Sequence, residues 1–282
     1  MIAVVYSGSR NADWKLSEKG IIVCDIKTPG INPFLNDGKA ITALLSKNNL
    51  LITHAEDIKR IYFFGAGASS KGRQQVVADA FASFFKNAKI SIDHDLKASA
   101  LATCGDQPAI VGILGSGSNA AYFDGKKVKE NNYGMGYILA DEGSSNWLGR
   151  NLLRDYFTGT MPKEFEAIFV ERYKPDRKLI LEKIYKQASP VLFLSSYNDF
   201  LIEHFDQLYV KQLIERGLTL YFESFIIPLT NKYPGLPLHF TGPVADGFQQ
   251  TLNKIAVKYN LTISSVIKRP IYNILNYYTN KN

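Results

Sequence analysis

A five-residue stretch, Gly115-Ser116-Gly117-Ser118-Asn119, carries the small side chains that let clustered backbone N–H groups approach the oxygens of a phosphate. Carboxylates stand on both sides of it. Asp95 opens an alanine-rich run (DLKASALA) twenty residues before Gly115, and Asp141-Glu142-Gly143-Ser144 precedes a helix expected to begin near Ser145 or Asn146. An acid at a helix start is favoured by the dipole and by capping, so each taken alone reads as an N-cap. Grouped around one small-residue loop, they point to phosphate chemistry instead. A similar break, Ser7-Gly8-Ser9, follows the first apolar run, and a third glycine turn spans Gly242 to Gly247.

The elements that must position these residues follow from hydrophobic spacing. Met1 to Ser7 alternates and then turns, and Gly20 to Cys24 is a second β-rich run, so the first 27 residues predict a hairpin pair of strands. Residues 37 to 48 have helical spacing, Lys59 to Phe64 reads as a short buried strand, and Gln74 to Phe85 as a helix with Val77, Phe81 and Phe85 on one face. Ala109 to Leu114 predicts a strand that feeds the Gly115 loop, and Ala120 to Asp124 a strand that leaves it. Trp147 to Lys186 and Asp199 to Lys232 are helical by spacing, and Leu238 to Thr241 leads into the Gly242 turn. Strand, small-residue loop, strand occurs twice, which predicts a duplicated α/β architecture with a ligand between the halves.

Composition removes several function classes. The 282 residues are 46% hydrophobic, enough for one large core or two medium ones, and no apolar run approaches a membrane span. The N-terminal apolar run, Ile2 to Val5, is too short for a signal-peptide core, so the expectation is a cytoplasmic protein without a membrane partner. Cys24 and Cys104 form no Cys-x-x-Cys pair, and the four histidines show no i, i+4 pairing that would support zinc. The net charge of +7 is spread along the chain, which suits an anionic small substrate better than nucleic acid. Phe222, Phe225, Ile226 and Leu229 lie at helical spacing and suit either core packing or the seam of a homodimer.

Asp95-Leu96, the Ile113 to Asn119 stretch, Gly134-Met135-Gly136-Tyr137, Asp141-Glu142-Gly143-Ser144 and Trp147 together resemble the core of the BadF/BadG/BcrA/BcrD-type ATPases and N-acetylglucosamine kinases, a branch of the actin-like superfamily of sugar kinases. The resemblance implies an α/β fold of two ribonuclease-H-like domains with a central cleft. Their expected extents are residues 1–108, with the C-terminal helix 268–282 folded back on them, and residues 109–267. It implies phosphorylation of an amino sugar, N-acetylglucosamine above all, by ATP with Mg²⁺. Asp95 matches the general base. Asn32, Asn119, Asp141 and Ser145 match sugar-binding positions. Ser7, Gly8, Ser9 and Arg10 match a first phosphate grip, Gly115, Ser116, Gly117 and Ser118 a second, and Gly242 with Ala245 an adenosine turn.

One departure bears on activity. Where relatives carry an acid that holds magnesium, this chain has Tyr6, a phenol that cannot replace a hard anionic oxygen ligand. Either Arg10 supplies charge to the phosphates while Mg²⁺ enters with ATP and is anchored by Asp141 or another acid, or phosphoryl transfer is impaired and the protein serves as a sugar-binding sensor or regulatory partner. Pro270-Ile271-Tyr272-Asn273, where relatives have a small or acidic turn, fits the second; the retention of Asp95 and Asp141 fits the first.

Overall fold

The computed structural model describes residues 1–8, 10–129, 131–187 and 189–280. Strands β1 (Ile2–Ser7), β2 (Asn11–Glu18) and β3 (Ile21–Pro29) come first, then helices α1 (Gly38–Ser46) and α2 (Asn49–His54), β4 (Arg60–Gly65), α3 (Lys71–Phe84), β5 (Lys89–His94) and α4 (Asp95–Thr103). A second series opens with β6 (Ala109–Leu114), β7 (Ser118–Phe123), α5 (Gly136–Leu139), α6 (Ser145–Phe157), α7 (Lys163–Tyr173), α8 (Arg177–Tyr185), α9 (Pro190–Ser195) and α10 (Asn198–Glu203). It continues through α11 (Leu208–Tyr221), a π-helical turn (Phe222–Ile226), α12 (Ile227–Lys232), β8 (Leu238–Thr241), α13 (Pro243–Gly247), α14 (Gln249–Lys258) and β9 (Ile263–Ile267), and α15 (Ile271–Thr279) ends the chain. Contacts divide it into two units, one of Met1–Gln107, Phe123–Val128 and Arg269–Asn282, the other of Pro108–Tyr122 and Lys129–Lys268.

The first unit is built on a five-stranded sheet in the order β3-β2-β1-β4-β5. β1 pairs antiparallel with β2 and parallel with β4, and β4 is parallel to β5. The predicted hairpin of two strands is therefore a meander of three: the Gly20 run extends to Pro29 and pairs with β2, not with β1. Along β2, Ala12, Trp14 and Leu16 alternate into a core with Ala3, Val5, Phe63, Phe81 and Phe85, and the Trp14 ring stacks on Phe81 at 5.5 Å. The opposite face is covered by α4 and α15. There Lys15 is buried, paired with Asp25 and donating to the Tyr272 hydroxyl at 2.9 Å, and Tyr278 stacks on Tyr62 at a centroid distance of 3.7 Å. Ala12, Trp14 and Leu16 alternate in the sequence with Asp13, Lys15 and Ser17, and the second buried face takes in Lys15 and Ser17 of the polar set.

The second unit has a four-stranded sheet, β7-β6-β8-β9, in which β6, β8 and β9 run parallel. β6 is buried along its whole length, as a strand covered on both faces must be. Its helices share one core in which Trp147, Leu148 and Leu152 of α6 pack with Leu218 and Tyr221 of α11. Pro228 explains the π-helical turn before α12: it has no N–H for the preceding turn, and its ring displaces a carbonyl, so the helix takes one wider turn. That wide turn follows directly on Tyr221, whose hydroxyl donates to the Asn119 carbonyl at 2.9 Å. No helix among the described residues is long and apolar enough to cross a membrane.

Ile274 is fully buried where α15 closes the first unit. Ile274→Ala removes its side chain from that seam and is expected to cost about 2–5 kcal/mol, read as a lower urea midpoint of the unfolding transition.

Candidate active site

In the first unit the candidate residues collect at the C-terminal ends of the parallel strands, the end at which open α/β sheets present ligands. Tyr6, near the end of β1, lies opposite Asp13 of β2 and Phe64 of β4. Asp95 follows directly on β5 and opens α4. Burial, and then the charges of Asp95 and Asp13, push the Tyr6 phenol well above its ordinary value of 10.0, so it stays protonated and neutral. Burial also raises the Asp95 carboxyl above its usual range, against the opposing pull of His94 and the Leu96 N–H. A neutral phenol and an acid reluctant to ionise thus share one patch.

Ser7 does not offer its hydroxyl to a ligand. Its Oγ donates to the Ile31 carbonyl at 3.0 Å and accepts from the Ile31 N–H at 2.8 Å, which ties the end of β1 to the 31–36 segment. The Gly8 N–H closes the turn onto the Asn11 carbonyl at 3.0 Å, and Arg10 is exposed beside it; Ser9 lies outside the described residues. Asn32 shapes its own loop: Oδ1 accepts from the Phe34 N–H at 2.9 Å, and the carbonyl accepts from Leu35 and Asn36.

The second unit holds a tighter construction. The Gly115 carbonyl accepts from the Ser145 N–H at 2.9 Å and the Ser145 hydroxyl at 3.1 Å. The Ser116 carbonyl accepts from the Asn146 N–H at 3.3 Å, from Asn146 Nδ2 at 2.6 Å and from the Ser195 hydroxyl at 3.4 Å. Both carbonyls are thus held by the start of α6. In a trans peptide the C=O and the following N–H point in opposite directions, so the N–H groups of Ser116 and Gly117 are turned away from α6. Two adjacent amides aimed the same way make an anion-binding concavity.

Asp141 braces this turn from beneath. Its Oδ1 accepts from the Ser118 N–H at 3.1 Å and its Oδ2 from Asn146 Nδ2 at 2.8 Å, and the residue is only 7% exposed. Its backbone is left-handed (φ 65°), a conformation Asp tolerates better than most residues. A Cβ at Gly117 would stand 3.0 Å from both carboxylate oxygens, so the glycine is what admits the brace. Two of the roughly four lone-pair positions of the Asp141 carboxylate are thus taken up within the turn. Ser145 is likewise spent on the Gly115 carbonyl, and Asn119 turns Oδ1 onto the Ala120 N–H at 2.8 Å.

Gly242 lies against the same turn. Its φ of 114° suits glycine alone, and a Cβ there would come within 2.3 Å of the Leu114 carbonyl. The predicted glycine turn is in fact the short helix α13, and the Ala245 methyl within it belongs to the core, at 1% exposure. Asn146 and Ser195 are the participants that sequence spacing missed. Asn146 is itself one of the two expected helix starts, and an amide there could have been read as a cap; Ser195, 79 residues from Ser116, leaves no local signal.

No protein-family model and no curated protein sequence matches the chain. Among solved structures it is similar to a candidate N-acetylglucosamine kinase from Porphyromonas gingivalis, with 32% identity, a TM-score of 0.93 and 99% of each chain covered. A candidate N-acetylglucosamine kinase from Chromobacterium violaceum matches at 15% identity and a TM-score of 0.68, over 98% of this chain and 99% of that one. A ROK-family glucokinase from Streptomyces griseus, solved with glucose and AMPPNP, matches at 13% identity and a TM-score of 0.59, over 98% and 97%. The fold is that of the actin-like sugar kinases, as the sequence resemblance implied.

Burial raises the Asp141 carboxyl above its ordinary value of 3.8, despite the hydrogen bonds that favour its ionised form. The folded chain therefore keeps that proton to higher pH than the unfolded chain does, and the contribution of Asp141 to stability falls as pH rises through this window. Asp141→Asn is expected to flatten the decline, measured by urea unfolding at a series of pH values from about 4 upward.

Proposed function

Because this chain belongs to the same family as the candidate N-acetylglucosamine kinase of Porphyromonas gingivalis, we propose that it transfers the γ-phosphoryl group of ATP to a hydroxyl of an amino sugar, N-acetylglucosamine first among them. The observation that carries the reading is the orientation of the Ser116 and Gly117 amides: with their partner carbonyls held by α6, they suit the phosphates of a nucleotide. Gly242, packed on the Leu114 carbonyl, would let the nucleoside approach the backbone beside that turn.

In this scheme Asp95 is the general base, and its carboxylate takes the proton of the attacking hydroxyl as the phosphoryl group transfers. A raised pKa brings such a base closer to working pH, where proton transfer is most effective. Mg²⁺ takes one or two carboxylates together with phosphate oxygens. Tyr6, neutral and buried, does not fit that ion; Asp13, its cross-strand neighbour, does and would hold it. The ion would neutralise charge on the phosphates.

Tyr6 also favours a second reading, in which the protein binds the sugar without turning it over. The phenol feels the charges of Asp95 and Asp13 and stands where the family that the sequence resembles carries an acid.

ADP release from Mg-ATP that rises with added N-acetylglucosamine separates the two readings; sugar binding without turnover supports the sensor. Asp95→Asn is expected to lower kcat by about 10²–10⁴-fold with sugar binding kept. The acidic limb of kcat/KM against pH should lie above the ordinary carboxyl value of 3.8, because the base must be ionised and burial raises its pKa. Tyr6→Asp should increase turnover if the loss of that acid is what limits the enzyme.

A further inference from the structure

At the C-terminal end of α6, about 15 Å along the helix from Ser145, a cavity of roughly 680 Å³ opens between α6, the 158–162 segment and α11. Its organiser is Asp155, whose side chain is only 10% exposed. Arg154 donates Nε and Nη2 to Asp155 Oδ1 at 3.1 and 2.9 Å, the Tyr209 hydroxyl donates to Oδ2 at 3.1 Å, and Arg216 Nη2 stands 3.6 Å from Oδ2. Two guanidinium groups share one carboxylate, so the wall carries a positive charge in excess. Each guanidinium has five N–H donors, more than a shared carboxylate can accept, and the two side chains are 56% and 47% exposed.

The hydroxyls of this wall have the complementary character. Thr158 gives its proton to the Arg154 carbonyl at 2.9 Å, and Thr160 Oγ1 contacts the Asp155 carbonyl at 3.3 Å and Thr158 Oγ1 at 3.1 Å. With their protons directed at the protein, these oxygens face a ligand as acceptors, and so suit groups that donate. A cationic fork beside hydroxyl acceptors matches a molecule with an oxyanion at one end and O–H groups at the other.

We propose that this cavity is a binding site for a phosphate monoester bearing hydroxyl groups, a phosphorylated monosaccharide in chemical class, with Arg154 and Arg216 on the phosphate and Thr158 and Thr160 on the hydroxyls. The site stands apart from the Gly115–Ser118 turn, at the other end of α6, and does not depend on the kinase reading. Arg216 also lies over the Trp147 ring, with Cζ 5.6 Å from its centroid, so occupancy has a fluorescence signature.

Calorimetric titration of the 282-residue chain with glucose 6-phosphate, and separately with inorganic phosphate, tests the assignment. Saturable binding of glucose 6-phosphate, weaker binding of inorganic phosphate and a change in tryptophan emission are expected. Arg154→Gln and Arg216→Gln should each weaken both probes by about tenfold or more, since each removes a charge-assisted contact. Thr158→Val, which leaves the Asp155 cluster untouched, should weaken glucose 6-phosphate alone. Saturating N-acetylglucosamine should leave the binding of glucose 6-phosphate unchanged, which separates this cavity from the proposed sugar site. The proposal is overturned by the absence of saturable binding, by equal affinity for the two probes, by unaltered affinity in both arginine variants, or by displacement of glucose 6-phosphate by N-acetylglucosamine.

Discussion

A peptide plane cannot turn its carbonyl and its amide the same way, and the second unit is arranged around that constraint. The start of α6 takes the carbonyls of Gly115 and Ser116 through Ser145, Asn146 and, from α9, Ser195. The amides that follow must then face outward. Asp141 fixes the far end of the turn through the Ser118 N–H, so the arc cannot roll over. Small residues are required on the inner side of this stretch, which must admit the Asp141 carboxylate at the distance Gly117 allows. The burial of Asp141 is therefore a cost that gives the turn its rigidity, and the raised pKa of its carboxyl records that cost.

The first unit solves a different problem. Its sheet is buried on both faces, by α1 and α3 with the aromatic core on one and by α4 and α15 on the other. A strand such as β2 must then bury both sets of side chains, so Lys15 is drawn in and needs Asp25 and the Tyr272 hydroxyl to satisfy its ammonium group. Tyr6 follows the same logic. A carboxylate at its position would be a third negative charge near Asp13 and Asp95, tolerable only with a cation present, whereas a phenol with a raised pKa carries no charge to compensate.

These burial patterns set what could be read from the sequence. β6 and β4, apolar runs bounded by turn residues, and α4 and α6, opened by acids or small polar residues, were legible because their local pattern and their tertiary role agree. β2 keeps a strict alternation of Ala12, Trp14 and Leu16 with Asp13, Lys15 and Ser17, so its pattern was present, but the Ser7-Gly8-Ser9 break and Asn11 before it suit a loop. β5 escaped despite the alternation of Ile90 and Ile92, since its polar positions and shortness give little weight to the pattern. At the candidate site the identity of the small-residue turn was visible, but the partners of its carbonyls were not. Asn146 and Ser195 act through geometry that only the packing of α6 on α9 creates. Asp141 and Ser145 were picked out by type, but their hydrogen bonds to the turn are not visible from residue identity.

The supply of charge decides what such a site can do with a nucleotide. The Gly115–Ser118 turn contributes backbone dipoles, and the N-terminus of α6 adds a fraction of a positive charge, but its N–H groups at Ser145 and Asn146 are already spent on the turn's carbonyls. A triphosphate carries several negative charges, and dipoles already committed elsewhere neutralise little of that. In the first unit Arg10 is the basic side chain nearest in sequence to the Gly8 turn, and Asp13 is the acid that pairs with Tyr6 across the strands. If phosphoryl transfer takes place, the compensating charge has to come with the nucleotide as its metal ion, because the residues around Tyr6 offer more anion than cation. The Gly8 turn thus stands beside unmatched acids, while the Gly115–Ser118 turn is held by its own hydrogen bonds.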